Sequence, residues 1–329
     1  MPFFHRKITV SYKIALIAGF VFLYSSCILA APRDRNKNSY QHYLKAALLD
    51  RLGSVESAIE QYEEAAKLDK DSATIHFNLG ADYARINDLD RAKEELELAL
   101  ELEPENLSAR FLLALVYSSL KEEDAALKQY TLILEKQSES DPDNTNIIIA
   151  LAQLYYQQND IGKAVSQYRH LISISPDMHE AYLFLGILLS ESGDNEAAIA
   201  NIKKSLELNP DNPDAQNSLA YFYAEKGENL EEALNLANKA LKKDADNGAY
   251  IDTLGWIYFK QGLLDKAMEK LERAVMILED PVIYEHLGDV YSAKGLYEKA
   301  LDIWKKALYV DPARKSIEGK IDALQRKGN

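Results

Sequence analysis

The sequence predicts an all-α solenoid, about eight helix-turn-helix units stacked in a row and closed by a C-terminal capping helix. Three observations predict it. An alanine returns at a period close to 34 residues, at Ala58, Ala92, Ala126, Ala164, Ala198, Ala233, Ala267 and Ala300, with spacings of 34, 34, 38, 34, 35, 34 and 33. A second small residue stands twelve positions before each alanine, or thirteen before Ala233: Ala46, Gly80, Ala114, Ala152, Gly186, Ala220, Gly255 and Gly288. Three residues after each of these comes a ring or a leucine: Leu49, Tyr83, Tyr117, Tyr155, Leu189, Tyr223, Tyr258 and Tyr291. A fixed period of this length marks an array of supersecondary units, none of which buries its apolar face alone.

The elements follow in order. Residues 1–31 hold Arg6, Lys7 and Lys13 and no acid, and an uncharged run over 14–31 ends in the small residues Ala30 and Ala31. This is the layout of an export signal. The run is also barely long enough to cross a bilayer at about 1.5 Å per residue. Cys27, the only cysteine, lies in "LYSSC", a candidate lipid-attachment box with Tyr24 where leucine is usual. Three outcomes stay open: cleavage after Ala30 or Ala31, lipidation at Cys27, or a retained N-terminal anchor. Each of them places the body outside the cytoplasm, in the periplasm or another extracytoplasmic space.

Residues 32–38 form a linker, and the array then runs over 39–314. Its units are 39–72, 73–106, 107–144, 145–178, 179–212, 213–247, 248–280 and 281–314. In each, apolar positions recur at helical spacing, as in Leu79, Tyr83 and Ile86 of "NLGADYARI". Turn signals such as "INDLD" and "SGDNE" split helix A from helix B, and Pro104, Pro142, Pro176, Pro210 and Pro312 close many of the units. The small residues let A and B approach, and the ring fills the wedge between neighbouring pairs. Unit one carries Lys45 where the others have leucine, as suits a solvated end. "EKQSESDPDN" (135–144) lengthens one junction by four residues, either as a tolerated surface insertion or as a hinge between half-arrays. Residues 315–329 place Ile317, Ile321 and Leu324 on one stripe, which reads as a capping helix.

Composition narrows the function. Without residues 1–31 the chain carries 35 basic and 52 acidic residues, a charge of −17. Nucleic-acid binding needs a net basic face, so this body would repel a polyanion. There is no P-loop, HExxH, nucleotide-binding glycine fingerprint or cysteine nucleophile, and the histidines never take metal-ligand spacing. Glu285 and Asp289 fall four apart on one helical face, with Asp252 on the preceding unit, and so acidic a chain produces carboxylate pairs at that spacing anyway. The expectation is a non-catalytic protein without cofactor or metal, whose partners are other proteins.

The units "ATIHFNLGADYARINDLDRAKEELELALELEPEN" (73–106) and "HEAYLFLGILLSESGDNEAAIANIKKSLELNPDN" (179–212) resemble the tetratricopeptide repeat. The resemblance implies a right-handed superhelix with the A helices lining a concave groove. Residues three before the small position, or one or four after it, then face that groove. They include Phe77, Phe111, Leu115, Ile149, Gln153, Tyr156, Leu183 and Ile187, followed by Asn217, Tyr221, Asp252, Trp256, Phe259, Glu285 and Asp289. The groove so drawn is apolar in its first half and aromatic-acidic in its second, suited to a segment with apolar anchors and basic residues. Trp256 is the first candidate anchor, whereas Trp304, four residues after Ala300, reads as core. The Lys–Asn–Arg clamp with which chaperone-binding members hold an acidic tail is missing, Asn78 being an isolated match.

Residues 213–312, above all "DTLGW" and the extra residue before Leu230, resemble the C-terminal repeats of exported bacterial repeat lipoproteins. Known members include an adaptor for a periplasmic carboxyl-terminal processing protease, and pilotins. This implies an adaptor or scaffold of the cell envelope, or else a structural part of a secretion, pilus or polysaccharide-export assembly.

Overall fold

Local chemistry sets each helix start. Asn106, Asn144, Asn212 and Asn247 precede A helices, and each accepts a bond from a backbone N–H two or three residues on, as Ala109 N–H donates to Asn106 Oδ1 at 3.0 Å. Asp88 and Asp194 do the same for B helices. In the computed structural model, which describes residues 37–327, the described residues are helices and turns without a strand.

They form two compact bodies, parted between Ile174 and Ser175. The first holds four A–B pairs: α1 (Lys37–Arg51) with α2 (Val55–Leu68), α3 (Ala73–Arg85) with α4 (Leu89–Leu102), α5 (Leu107–Ser119) with α6 (Glu123–Ser140), and α7 (Thr145–Gln157) with α8 (Ile161–Ile174). The second holds α9 (His179–Glu191) with α10 (Asn195–Leu208), α11 (Pro213–Lys226) with α12 (Leu230–Lys243), α13 (Gly248–Lys260) with α14 (Leu264–Ile277), α15 (Pro281–Ala293) with α16 (Tyr297–Val310), and finally α17 (Lys315–Lys327). Within each body every pair packs on the next. The parting does not fall at 135–144. There the four extra residues prolong α6 to 18 residues inside the first body, about one added helical turn.

The A-to-B turn repeats one motif. Seven residues after the small position the backbone is left-handed in every pair: Gly53, Asn87, Lys121, Asn159, Gly193, Gly227, Gly262 and Gly295. The N–H of the next residue reaches back five residues to a carbonyl in the last turn of helix A, as Asp88 N–H does to Tyr83 O at 2.9 Å. This Schellman closure satisfies helix-end carbonyls. Lys121 is the only one of the eight that is neither glycine nor asparagine.

The small positions match what lies sixteen residues on. A Cβ on Gly80 would stand 2.7 Å from Leu96 Cγ, on Gly186 2.7 Å from Ile202 Cγ1, on Gly255 2.8 Å from Leu271 Cγ, and on Gly288 2.2 Å from Trp304 Nε1. In the alanine units one, three and four the residue sixteen on is a buried tyrosine instead, Tyr62, Tyr130 or Tyr168. The ring three residues after the small position faces the preceding pair. Tyr83 donates to Glu63 at 2.6 Å, Tyr155 to Glu135 at 2.6 Å and Tyr291 to Glu272 at 2.8 Å. At the C-terminus Ile317 is fully buried in a cluster with Leu271, Leu287, Val290 and Trp304, and Ile321 and Leu324 pack against it, so α17 covers the last pair. Cys27 and the three outcomes for the leader lie outside the described residues.

Candidate functional site

The A helices of the first body leave apolar side chains accessible. Phe77 on α3, Phe111 on α5, and Ile149, Gln153 and Tyr156 on α7 are half-buried, and Leu115 on α5 is 38% exposed. A cleft of about 380 Å³ opens where α1 meets α3, between Tyr43, Leu48, Phe77 and Asn106. Asn78 lines it too, but its amide donates to the Thr74 carbonyl at 2.9 Å, so this isolated match to a clamp is satisfied within its own helix.

Beside the cleft lies a carboxylate that the groove rule misses. Asp82 is 2% exposed and pairs with Arg85 at 2.8 Å; Arg85 also holds Asp50, and Asp82 Oδ2 has no hydrogen-bond partner. Burial pushes its carboxyl up to about 6, the Asp50 charge adds to the rise, and Arg85 opposes it. Asp82 follows the small position by two, a place filled in every other unit by a large apolar residue: Leu48, Val116, Leu154, Leu188, Phe222, Ile257 and Val290. That contrast is the signal by which the sequence marks it.

The second body differs. Leu183 (5% exposed), Ile187, Asn217, Asp252 (0%) and Trp256 (6%) are buried, so the expectation that they face an open groove is corrected. For Asn217, Asp252 and Trp256 the reason is that α11 packs directly on α13, and α13 on α15, so that side chains aimed at the concave side meet the neighbouring A helix. Trp256 stacks on His286 at 4.0 Å and on Phe259 at 4.8 Å between ring centroids, and its indole N–H donates to Glu225. Beneath it Asp252 Oδ1 meets His286 Nδ1 at 2.9 Å; Asp252 Oδ2 and both polar side-chain atoms of Asn217 have no hydrogen-bond partner. Tyr221 and Phe259 are half-buried.

Glu285 and Asp289 are already engaged. Lys320 of α17 places its ammonium 2.8 Å from Glu285 and 2.6 Å from Asp289, and Arg314 pairs with Glu285 as well. Burial pulls Asp289 up more than Lys320 pulls it down, whereas the bond and charge of Lys320, with Arg314, outweigh burial at Glu285 and hold it low. The acidic end of the expected groove therefore holds the chain's own basic residues. Among the described residues no cluster of three or more histidine, cysteine or acidic side chains is arranged for a metal, and no helix is long and apolar enough to cross a membrane.

Comparison with known proteins follows this geometry. Family models described as "TPR repeat" match residues 51–87, and those described as "Tetratricopeptide repeat" match 73–106, 146–178, 189–254, 250–279 and 282–314. The extended unit around α6 lies outside these matches. No curated protein matches the chain in sequence. Among solved structures, a tetratricopeptide repeat protein from Parabacteroides merdae is similar at 22% identity and a TM-score of 0.57, over 77% of this chain and 98% of that one. The Cut9–Hcn1 hetero-tetramer of the APC/C is similar at 18% identity and 0.55, over 95% of this chain and 60% of the other. These likenesses concern the fold. With the repeated A–B pairs, their shared turn and the matches along both bodies, the chain belongs to the tetratricopeptide repeat family.

Proposed function

We propose that this protein is a non-catalytic scaffold or adaptor of the cell envelope that grips a segment of another protein along the A helices of its first body. One observation carries the reading: Phe77, Phe111, Leu115, Ile149 and Tyr156 leave apolar surface accessible along successive A helices, where most core positions are closed. The occupant is an extended or helical segment with apolar anchors. Basic residues suit it, because the surrounding body is strongly acidic. The envelope part of the proposal is supported by the acid-free N-terminus with its uncharged run over 14–31.

The test is affinity capture from an envelope extract with the full chain, beside a Phe111→Ser/Leu115→Ser variant and a Trp256→Phe variant. The expected result is a defined protein that is lost with the first variant and kept with the second. A partner indifferent to Phe111 and Leu115 refutes the groove. A captured glycan or pore protein that is insensitive to both variants points to a structural role in an export assembly.

A further inference from the structure

The first A helix, continued by Leu52 just past its end, carries an exposed apolar face, one position of which, that of Leu48, is buried in every later A helix. Leu44, Leu48 and Leu52 are 46%, 59% and 70% exposed. At about 100° per residue, Arg51, Leu44, Lys37, Leu48, Gln41, Leu52 and Lys45 follow one another across an arc of about 120°, and all seven are exposed. The leucines thus form a stripe with Arg51 at one border and Lys45 at the other, and on its Arg51 side Leu44, Leu48 and Arg51 also line the cleft between α1 and α3. In later units the residue equivalent to Leu48 is buried, at Val116 (2%), Leu154 (1%) and Ile257 (0%) for example. A preceding pair covers it there, and α1 has none among the described residues.

We propose that this face of α1 lies on an anionic membrane surface. The inference rests on the reading that the N-terminal run, or a lipid on Cys27, holds the chain at a membrane. Charge argues for this occupant: the chain beyond residue 31 carries −17, yet the charges on this face, Lys37, Lys45 and Arg51, are all basic, and Arg33, Asp34 and Arg35 before it add one net positive charge. Chain length argues for it as well. Only residues 32–36 separate the apolar run from Lys37, a reach of at most roughly 20 Å, so a tethered chain holds α1 at the headgroups. A basic helix with an apolar stripe binds there by sinking its leucines between headgroups while lysine and arginine meet the anionic charge. A second copy suits the face less well. Two α1 faces would oppose basic borders, and the last helix, α17, offers no apolar counterpart, its described exposed side chains being polar apart from Ala323. The exposed acids Glu56, Glu60 and Glu64 sit on α2, which confines the lipid contact to α1.

The experiment uses the full chain reconstituted with phosphatidylcholine vesicles, with or without a minor fraction of phosphatidylglycerol. Flotation reads the tether, and amide hydrogen exchange over residues 37–52 reads the face. Anionic vesicles should slow exchange in α1 by at least five-fold over zwitterionic ones, and leave α3–α16 unchanged. High salt should remove the effect, as should Lys37→Gln/Lys45→Gln/Arg51→Gln and, separately, Leu44→Ser/Leu48→Ser; circular dichroism checks that both variants stay folded. A chain that floats while α1 exchanges equally on both vesicles overturns the inference and leaves the tether standing. A chain that floats with neither overturns both. Slowing that appears without vesicles and grows with protein concentration assigns the face to a second copy and overturns the lipid reading.

Discussion

Gly288→Ala probes whether the small positions are coupled to their partners sixteen residues on. A methyl group there would stand 2.2 Å from Nε1, 2.3 Å from Cδ1 and 2.9 Å from Cε2 of Trp304. Contact distance is about 3.5 Å, so the ring must retreat by more than about 1 Å. Trp304 is 3% exposed and packed among Leu287, Tyr291 and Ile303, which leaves it nowhere to go without moving them. Overpacking of this kind costs about 1–3 kcal/mol, against about 1 kcal/mol gained when alanine replaces glycine inside a helix. The net expectation is a loss of up to about 2 kcal/mol. Pairing the change with Trp304→Tyr recreates the alanine–tyrosine combination of units one, three and four, so the double variant should recover at least about 1 kcal/mol relative to the sum of the single changes. The assay is urea unfolding of the full chain. Both tryptophans lie in the second body, so Trp256 fluorescence reports that body in every variant. A Gly288→Ala protein that is more stable by the helix-propensity gain alone, or a double variant that is merely additive, refutes the reasoning.

Three further outcomes follow from the geometry. Asp82→Asn should stabilise the first body near neutral pH by an amount below about 3 kcal/mol, the ceiling set by a carboxyl moved from 3.8 to about 6. Folded Asp82 holds its proton more tightly than the unfolded chain does. Its penalty is therefore absent below pH 3.8, builds between there and about 6, and is complete above; urea midpoints of variant and parent should converge towards pH 4. Lys121→Gly should stabilise the α5–α6 turn by about 0.5–1 kcal/mol, because φ of 63° strains a side-chain-bearing residue, while Lys121→Ala should not; thermal unfolding by circular dichroism separates them. Lys320→Glu should release α17, because it sets a third carboxylate against Glu285 and Asp289, and hydrogen exchange over 315–327 should then accelerate at least ten-fold while α13 stays protected.

The repeat was legible because its markers depend on backbone geometry. A glycine against Leu96 or Trp304, and a left-handed residue seven positions after the small one, are demanded by close approach and by the turn whatever the partner may be. The accessible side chains were only half legible. A rule by position sends Phe111 and Trp256 to the same side of an A helix. Whether that side stays open depends on how tightly neighbouring A helices approach, which is set by the sum of many contacts and leaves no local mark. Trp256 illustrates the limit: its flat ring and its place after Gly255 suit an anchor, and the same properties suit a plate stacked on His286. Glu285 and Asp289 were read as seeking a cation in a partner, and the cation came from Lys320, thirty-five residues after Glu285, on a helix read only for its apolar stripe. A stripe of Ile317, Ile321 and Leu324 fixes which side of α17 faces the core, and Lys320 lies three residues after Ile317, on the border of that side. An acidic A-helix pair followed by a cap with lysine at that border should be matched within the chain before a partner is invoked. Asp82 marks the converse case. It is a charge where the repeat calls for an apolar residue, and departure from the repeat, more than conformity with it, is where such a sequence points to chemistry.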